Sequence, residues 1–175
     1  MCEDAGGMEP DPPLMWPRLA VLLLALAGCT SQALVDAPVV DTTLGPLRGT
    51  SQDGIHVFRG VPYAAPPVAE LRWRPPRPPA PWTAPRDATR FGPICSLGLG
   101  GAGPGRPEGE AFLSLIVYAP ASARRSQLPV MVWLHGGSFR WGAGSLPAYD
   151  GVTFARQGVV LVTLNYRLDR LGRFA

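Results

Sequence analysis

Apolar residues fall along the chain in runs of different length, and the runs predict different things. Residues 19–28, Leu-Ala-Val-Leu-Leu-Leu-Ala-Leu-Ala-Gly, are one unbroken apolar stretch directly after Arg18. Short runs follow, separated by turn residues. Residues 39–40 and 47–49 flank Gly45-Pro46, and 55–59 follow Asp53-Gly54, so three short strands are predicted. Residues 112–118 and 129–135 predict two consecutive sheet strands joined by the polar turn 121–127. Residues 159–164 are almost continuously apolar, the pattern of a central strand buried on both faces. Asp150 is placed to cap a short helix over 152–157. Proline saturates 62–93, which excludes regular helix and predicts an extended loop around the sheet. Trp73 and Trp82 are expected to pin that loop by burying their rings. Residues 98–109 are a glycine-rich insert. The pattern predicts an α/β arrangement, an antiparallel start leading into a mostly parallel sheet, without internal repeats.

The run 129–135 enters His135-Gly136-Gly137-Ser138-Phe139. An apolar run closed by paired glycines reads as a buried strand with a sharp backbone turn. Glycine leaves its neighbouring amide N–H groups unshielded by side chains, so a ligand oxygen can approach them closely. Donors held in this way stabilise the negative oxygen of a tetrahedral intermediate.

Other blocks accompany this one. Phe58-Arg59-Gly60-Val61-Pro62-Tyr63-Ala64-Ala65-Pro66-Pro67, Leu71-Arg72-Trp73 and Pro81-Trp82 lie upstream. Gly144-Ser145, Tyr149-Asp150-Gly151, Asn165-Tyr166-Arg167 and Leu171-Gly172 lie downstream. In this order and spacing the chain, from about Val39 onward, resembles the type-B carboxylesterase family of cholinesterase-like α/β-hydrolases. The resemblance implies an α/β-hydrolase fold and a serine esterase acting on small ester substrates through an acyl-enzyme. It maps the oxyanion-hole amides onto Gly137 and Ser138, with Gly136 supporting the loop and Phe139 and Trp141 as candidate pocket lining. Ser138 stands where the family more often has glycine. Because the donor is a backbone N–H, serine is tolerable if its φ and ψ suit. The family histidine of this loop supports it, the role implied for His135 in preference to a catalytic or metal-binding one. Asn165 and Arg167 are expected to tie loops together at the end of a strand. Many members pair a cysteine near Cys95 with one whose position here is Phe112, so the family's first disulfide is in doubt and Cys95 lacks an evident partner.

The family's nucleophile sits in a G-x-S-x-G turn, followed by an acid and a histidine. No G-x-S-x-G occurs in this chain, and its two histidines, His56 and His135, precede the place where the serine is expected. Ser138 has no base within reach by sequence and is set aside as a nucleophile. The expectation is therefore an incomplete amino-terminal portion of the esterase domain over 34–175, inactive alone, with the triad's nucleophile, acid and base absent from it. Two other readings stand beside this one: a non-catalytic cholinesterase-like adhesion module, and an inactive partial gene product.

The run 19–28 has the length of a signal-peptide core and is too short to span a bilayer. It ends in Leu26-Ala27-Gly28-Cys29, which resembles a bacterial lipobox and makes Cys29 the candidate lipidation site. Cleavage after Ser31-Gln32-Ala33, giving a secreted protein, is the alternative. Residues 1–14 hold four acids and no base, wrong for a signal peptide, so Met15 is the expected start. Residues 1–33 are thus read as a signal region, and the protein as exported: an outer-membrane or periplasmic lipoprotein, or a secreted one. Lysine is absent, so all 16 basic residues are arginine. With 21 Gly and 21 Pro, this suggests a GC-rich bacterial genome. The net charge of +3 is scattered, which argues for a solvated surface over nucleic-acid binding. Two separated histidines and an isolated cysteine give no metal-ligand spacing, and no phosphate-binding glycine loop is present, so no cofactor is implied.

Overall fold

The computed structural model describes residues 37–95, 107–125 and 127–172. Strand β1 (Val39–Thr42) and β2 (Gly45–Arg48) form a hairpin. The proline-rich segment returns along this hairpin as β5 (Arg86–Asp87), parallel to β2. The main sheet holds β3 (Thr50–Gln52), β4 (Ile55–Pro62), β8 (Ser114–Pro120), β9 (Val130–Trp133) and β10 (Val160–Leu164) in the order β3-β4-β8-β10-β9. Pairing is antiparallel from β3 to β10, and β10–β9 is parallel. Two-residue strands β6 (Ile94–Cys95) and β7 (Glu108–Gly109) pair beside it. The six strands predicted from apolar runs are present as β1, β2, β4, β8, β9 and β10; β3, β5, β6 and β7 are too short and too polar or isolated to have shown a period.

Strand alternation explains both layers. Ile55 and Val57, Ile116 and Tyr118, and Leu161 point to one face, where they bury Ala155 and Val152 of α1 (Val152–Arg156). Asp150, the expected cap, lies one residue before the actual one: the N-cap is Gly151. The Asp150 carboxylate accepts the Val152 N–H at 2.9 Å in an Asx turn that satisfies the first helical N–H. Phe58 and Val117 point the other way and pack with Leu47 of β2, Ala88 and Trp82. A third cluster, Ala64, Cys95, Phe112, Leu113, Leu168 and Leu171, fills the space beyond the ends of β4 and β10.

Several expectations need correction. Residues 112–118 and 129–135 are consecutive in the chain but not in the sheet, because β10 inserts between β8 and β9. The central strand β10 is buried on one face only: Leu161 and Thr163 are buried, whereas Val160, Val162 and Leu164 are half-buried. The hairpin sheet covers β4 and β8 but does not extend over β10. The run 129–135 is not a buried strand either. β9 lies at the sheet edge, and Val130, Val132 and Leu134 are 63%, 58% and 66% exposed. Trp73 pins the proline-rich loop without burying its ring, which is 48% exposed. Its indole N–H instead donates to the Arg170 carbonyl at 2.9 Å, and Arg72 stacks on the ring face. Trp82 does pack, half-buried against Leu47 and Phe58, with its N–H on the Pro46 carbonyl.

Among the described residues, the outer edge of β9 has no strand partner, and its side chains are apolar. Such an edge is a template for pairing with another chain. The 175-residue chain is therefore expected to self-associate. Val132→Lys, at an exposed position, should shift it toward monomer in light scattering; an unchanged mass distribution would place the contact elsewhere.

Candidate functional site

Parallel strands place the loops that follow them at one end of the sheet, the usual position of sites in α/β proteins. Here β9 is followed by 134–142 and β10 by 165–171. The second segment is the anchor. Asn165 is buried, and its side-chain carbonyl accepts the Gly144 N–H at 2.8 Å while its amide donates to the Pro93 carbonyl at 3.1 Å. Its backbone N–H donates to the Ser114 carbonyl, and its carbonyl accepts the Tyr63 hydroxyl at 2.7 Å. Arg167 donates to the Arg74 carbonyl at 2.8 Å. Asn165 and Arg167 thus tie loops together as expected.

His135 is buried below the loop. Its Nδ1 lies 2.8 Å from the Gly136 carbonyl. Because a carbonyl only accepts, this contact assigns the proton to Nδ1. Nε2 then carries a lone pair and, among the described residues, has no partner. Burial pushes the imidazole pKa down, so the ring is neutral. The ring stacks on Tyr166 with centroids 4.4 Å apart, and the Tyr166 hydroxyl donates to the His135 carbonyl at 2.5 Å. Gly142, with φ +115°, closes the other side: a Cβ there would stand 2.5 Å from His135 Nδ1. These contacts are those of a loop-supporting histidine. His56 is elsewhere, half-buried in β4 opposite Ala119.

The turn itself runs from Gly137 to Trp141, whose N–H donates to the Gly137 carbonyl at 3.2 Å, as does that of Arg140 at 2.9 Å. Gly137 has φ +122°, and a Cβ would fall on the Trp141 carbonyl oxygen, so this position requires glycine. Ser138 and Phe139 follow at φ +56° and +60°. Two successive non-glycine residues in the left-handed region cost roughly 1–2 kcal/mol each. Backbone strain of this kind persists only where the surroundings enforce it, and it gathers at functional sites. Among the described residues, no acceptor meets the N–H groups of Gly136, Gly137 or Ser138. Gly136 and Ser138 are exposed and Gly137 is half-buried, so all three are within reach of a ligand.

Phe139 is 66% exposed, its ring edge-on to Tyr166 at 6.5 Å. Trp141 is also exposed, beside the turn. Neither lines the apolar cavity of about 190 Å³ formed by Met131, Trp133, Tyr149, Phe154 and Leu161 under β9. Cys29 lies outside the described residues, as does most of the insert at 98–109. Cys95 is a free, buried thiol, and Phe112, at the position of the family's partner cysteine, packs in the same cluster. Sequence reading did not single out Tyr166 or Gly142. The motif Asn165-Tyr166-Arg167 was visible, but a contact from Tyr166 to a residue 31 positions earlier leaves no local signal.

A family model described as the carboxylesterase family matches residues 36–175. The chain is 45% identical over 140 residues to the para-nitrobenzyl esterase of Bacillus subtilis (strain 168), covering 77% of this chain and 28% of that protein. It is 37% identical over 187 residues to the fumonisin B1 esterase of Sphingopyxis macrogoltabida, covering 97% of this chain and 34% of that one. A solved structure of PNB esterase superposes with a TM-score of 0.70 at 44% identity, over 78% of this chain and 28% of that chain. The chain thus spans about a third or less of the length of these relatives.

Two outcomes follow from the buried groups. Burial raises the Cys95 thiol pKa, which lowers its thiolate fraction. Iodoacetamide should therefore label Cys95 slowly in the folded chain and rapidly after denaturation, read by peptide mass; equally fast labelling would contradict its burial. For His135 the folded pKa lies below the ordinary 6.5. As pH falls through 6.5, the unfolded chain gains a proton that the folded chain resists, so stability is held above that value and declines below it. The drop in thermal midpoint between about pH 7.5 and about pH 5.5 should be smaller in His135→Gln.

Proposed function

Because the chain belongs to the carboxylesterase family, we propose that it supplies the oxyanion-binding loop of a carboxylic ester hydrolase that works through an acyl-serine intermediate. The observation that carries this reading is the strained turn at Gly137–Ser138, whose accessible amide N–H groups have no acceptor among the described residues. Attack on an ester carbonyl converts its oxygen to an alkoxide. Two fixed N–H dipoles facing that oxygen stabilise the charge as it develops, with no reorganisation at the moment of reaction. Gly136 supports the turn, and exposed Phe139 and Trp141 offer apolar surface to the ester beside it. The serine, acid and histidine that make and break the acyl bond come, in this proposal, from outside these 175 residues.

The preferred substrates in this reading are small uncharged esters with an apolar or aromatic part, matched to Phe139 and Trp141. The proposal extends to location: an exported protein held at a membrane surface through lipid on Cys29, a reading that rests on the sequence of residues 19–29.

The test is made in the whole protein. Gly137→Val should break the turn, because a Cβ there meets the Trp141 carbonyl oxygen, and so misplace the donors. Turnover of a para-nitrophenyl ester should fall by at least about 10²–10³, with circular dichroism reporting whether the sheet survives. Near-normal kcat would sink the assignment. Ser138→Gly keeps the backbone donor and should retain activity within about tenfold; complete loss would instead make the Ser138 hydroxyl a reacting group.

A further inference from the structure

The oxyanion reading leaves open what keeps a strained, exposed turn in its working shape. β9 cannot do it alone, because its sheet pairing is to β10 and its side chains are exposed. The turn has no covering layer of its own among the described residues. Beyond its own bonds from Arg140 and Trp141 to the Gly137 carbonyl, its shape is held by the segment that follows β10.

That segment brackets the strain. The left-handed stretch is Gly137, Ser138 and Phe139. On its amino side the Tyr166 hydroxyl donates to the His135 carbonyl, and on its carboxyl side the Asp169 N–H donates to the Phe139 carbonyl at 2.6 Å. Between these bonds the Tyr166 ring stacks on the His135 imidazole and meets the Phe139 ring edge-on. The platform is itself fixed, because Asn165, one residue earlier, is bound through its side chain to Gly144 and Pro93. Burial raises the Tyr166 phenol pKa, so the hydroxyl keeps the proton it donates.

From this geometry we infer that Tyr166 is a positioning residue for ester hydrolysis. It sets the aim of the Gly137 and Ser138 amides by fixing the carbonyl of His135 and the rings on either side of the turn, and it touches no substrate itself. The inference rests on the oxyanion reading above. Removing the hydroxyl leaves the stacked ring, and with it most of the packing, but frees the entry to the turn. A misplacement of about 1 Å at a catalytic group can cost on the order of 10²-fold in rate.

The experiment compares the whole wild-type protein with Tyr166→Phe and Tyr166→Leu, using a para-nitrophenyl ester and a trifluoromethyl ketone that mimics the tetrahedral intermediate. Tyr166→Phe should lower kcat about tenfold, with KM within about twofold, and weaken ketone inhibition in proportion to kcat/KM. Its thermal midpoint should stay close to wild type. Tyr166→Leu, lacking both ring and hydroxyl, should lose about 10²-fold or more. Unchanged kcat and ketone affinity in Tyr166→Phe would overturn the inference while leaving the oxyanion reading intact. Loss of kcat without loss of ketone affinity would also overturn it, since the amides would then still be aimed correctly. A wild-type protein without esterase activity would remove the oxyanion reading and this role together, an outcome visible before any variant is made.

Discussion

The buried amide of Asn165 is the interaction on which the rest of the site depends. Asn165 sits where β10 ends: its side-chain amide reaches Gly144 beyond the β9 turn and Pro93 before β6, while its backbone N–H and C=O reach Ser114 in β8 and Tyr63 after β4. A buried polar group left unsatisfied costs about 1–3 kcal/mol, so the Gly144 and Pro93 segments are held to the positions that satisfy the Asn165 amide. No apolar side chain can do this, because dispersion is non-directional. The hydrophobic clusters fix the sheet and its layers; the amide fixes the relation of the loops at its end.

Seen from that anchor, the turn after β9 is built by division of labour. Glycine at 137 and 142 makes room, one for a carbonyl and one for an imidazole ring. His135 stays neutral because it is buried, which lets its Nδ1–H hold the Gly136 carbonyl without a charge beneath the turn. A charged imidazole there would place a positive centre under the amides whatever stood above them; a neutral one leaves the field to the N–H dipoles. Ser138 and Phe139 then carry positive φ without being glycine, at positions where the backbone direction matters more than its comfort.

How much of this was legible in the sequence follows from range. Val39–Thr42, Ile55–Pro62, Ser114–Pro120 and Val160–Leu164 were readable because each is an apolar run bounded by turn residues. The helix start was readable to within one residue because the Asp150 contact to Val152 spans only two positions, although the cap itself is Gly151. The glycine turn was readable as a sharp turn, since paired glycines close the apolar run, while its chemistry was only what the family resemblance implied. What was not readable is who neighbours whom. An apolar run reports that a strand wants burial but not whether it gets it, so β9 and β10 were both read as buried when one is an edge and the other is covered on one face. Trp73 was read by its ring, although its polar N–H makes the contact that matters. Tyr166 was hidden for the same reason: its partners are set by the sheet order β8-β10-β9, which no local pattern encodes.

That sheet order has a consequence for the birth of the protein. β9 leaves the ribosome before β10, yet its native place is on the far side of β10. With 31 residues separating Trp133 from Leu164, synthesis at 5–20 residues per second leaves a delay of roughly two to six seconds. Throughout it, β8 presents an open edge and β9 an apolar strand in search of one. Chain collapse is far faster than that interval. The nascent chain must therefore keep β8 and β9 apart, or undo their pairing, until β10 arrives to separate them. The order of strands makes a waiting step part of folding, and makes this stretch a natural client for a chaperone.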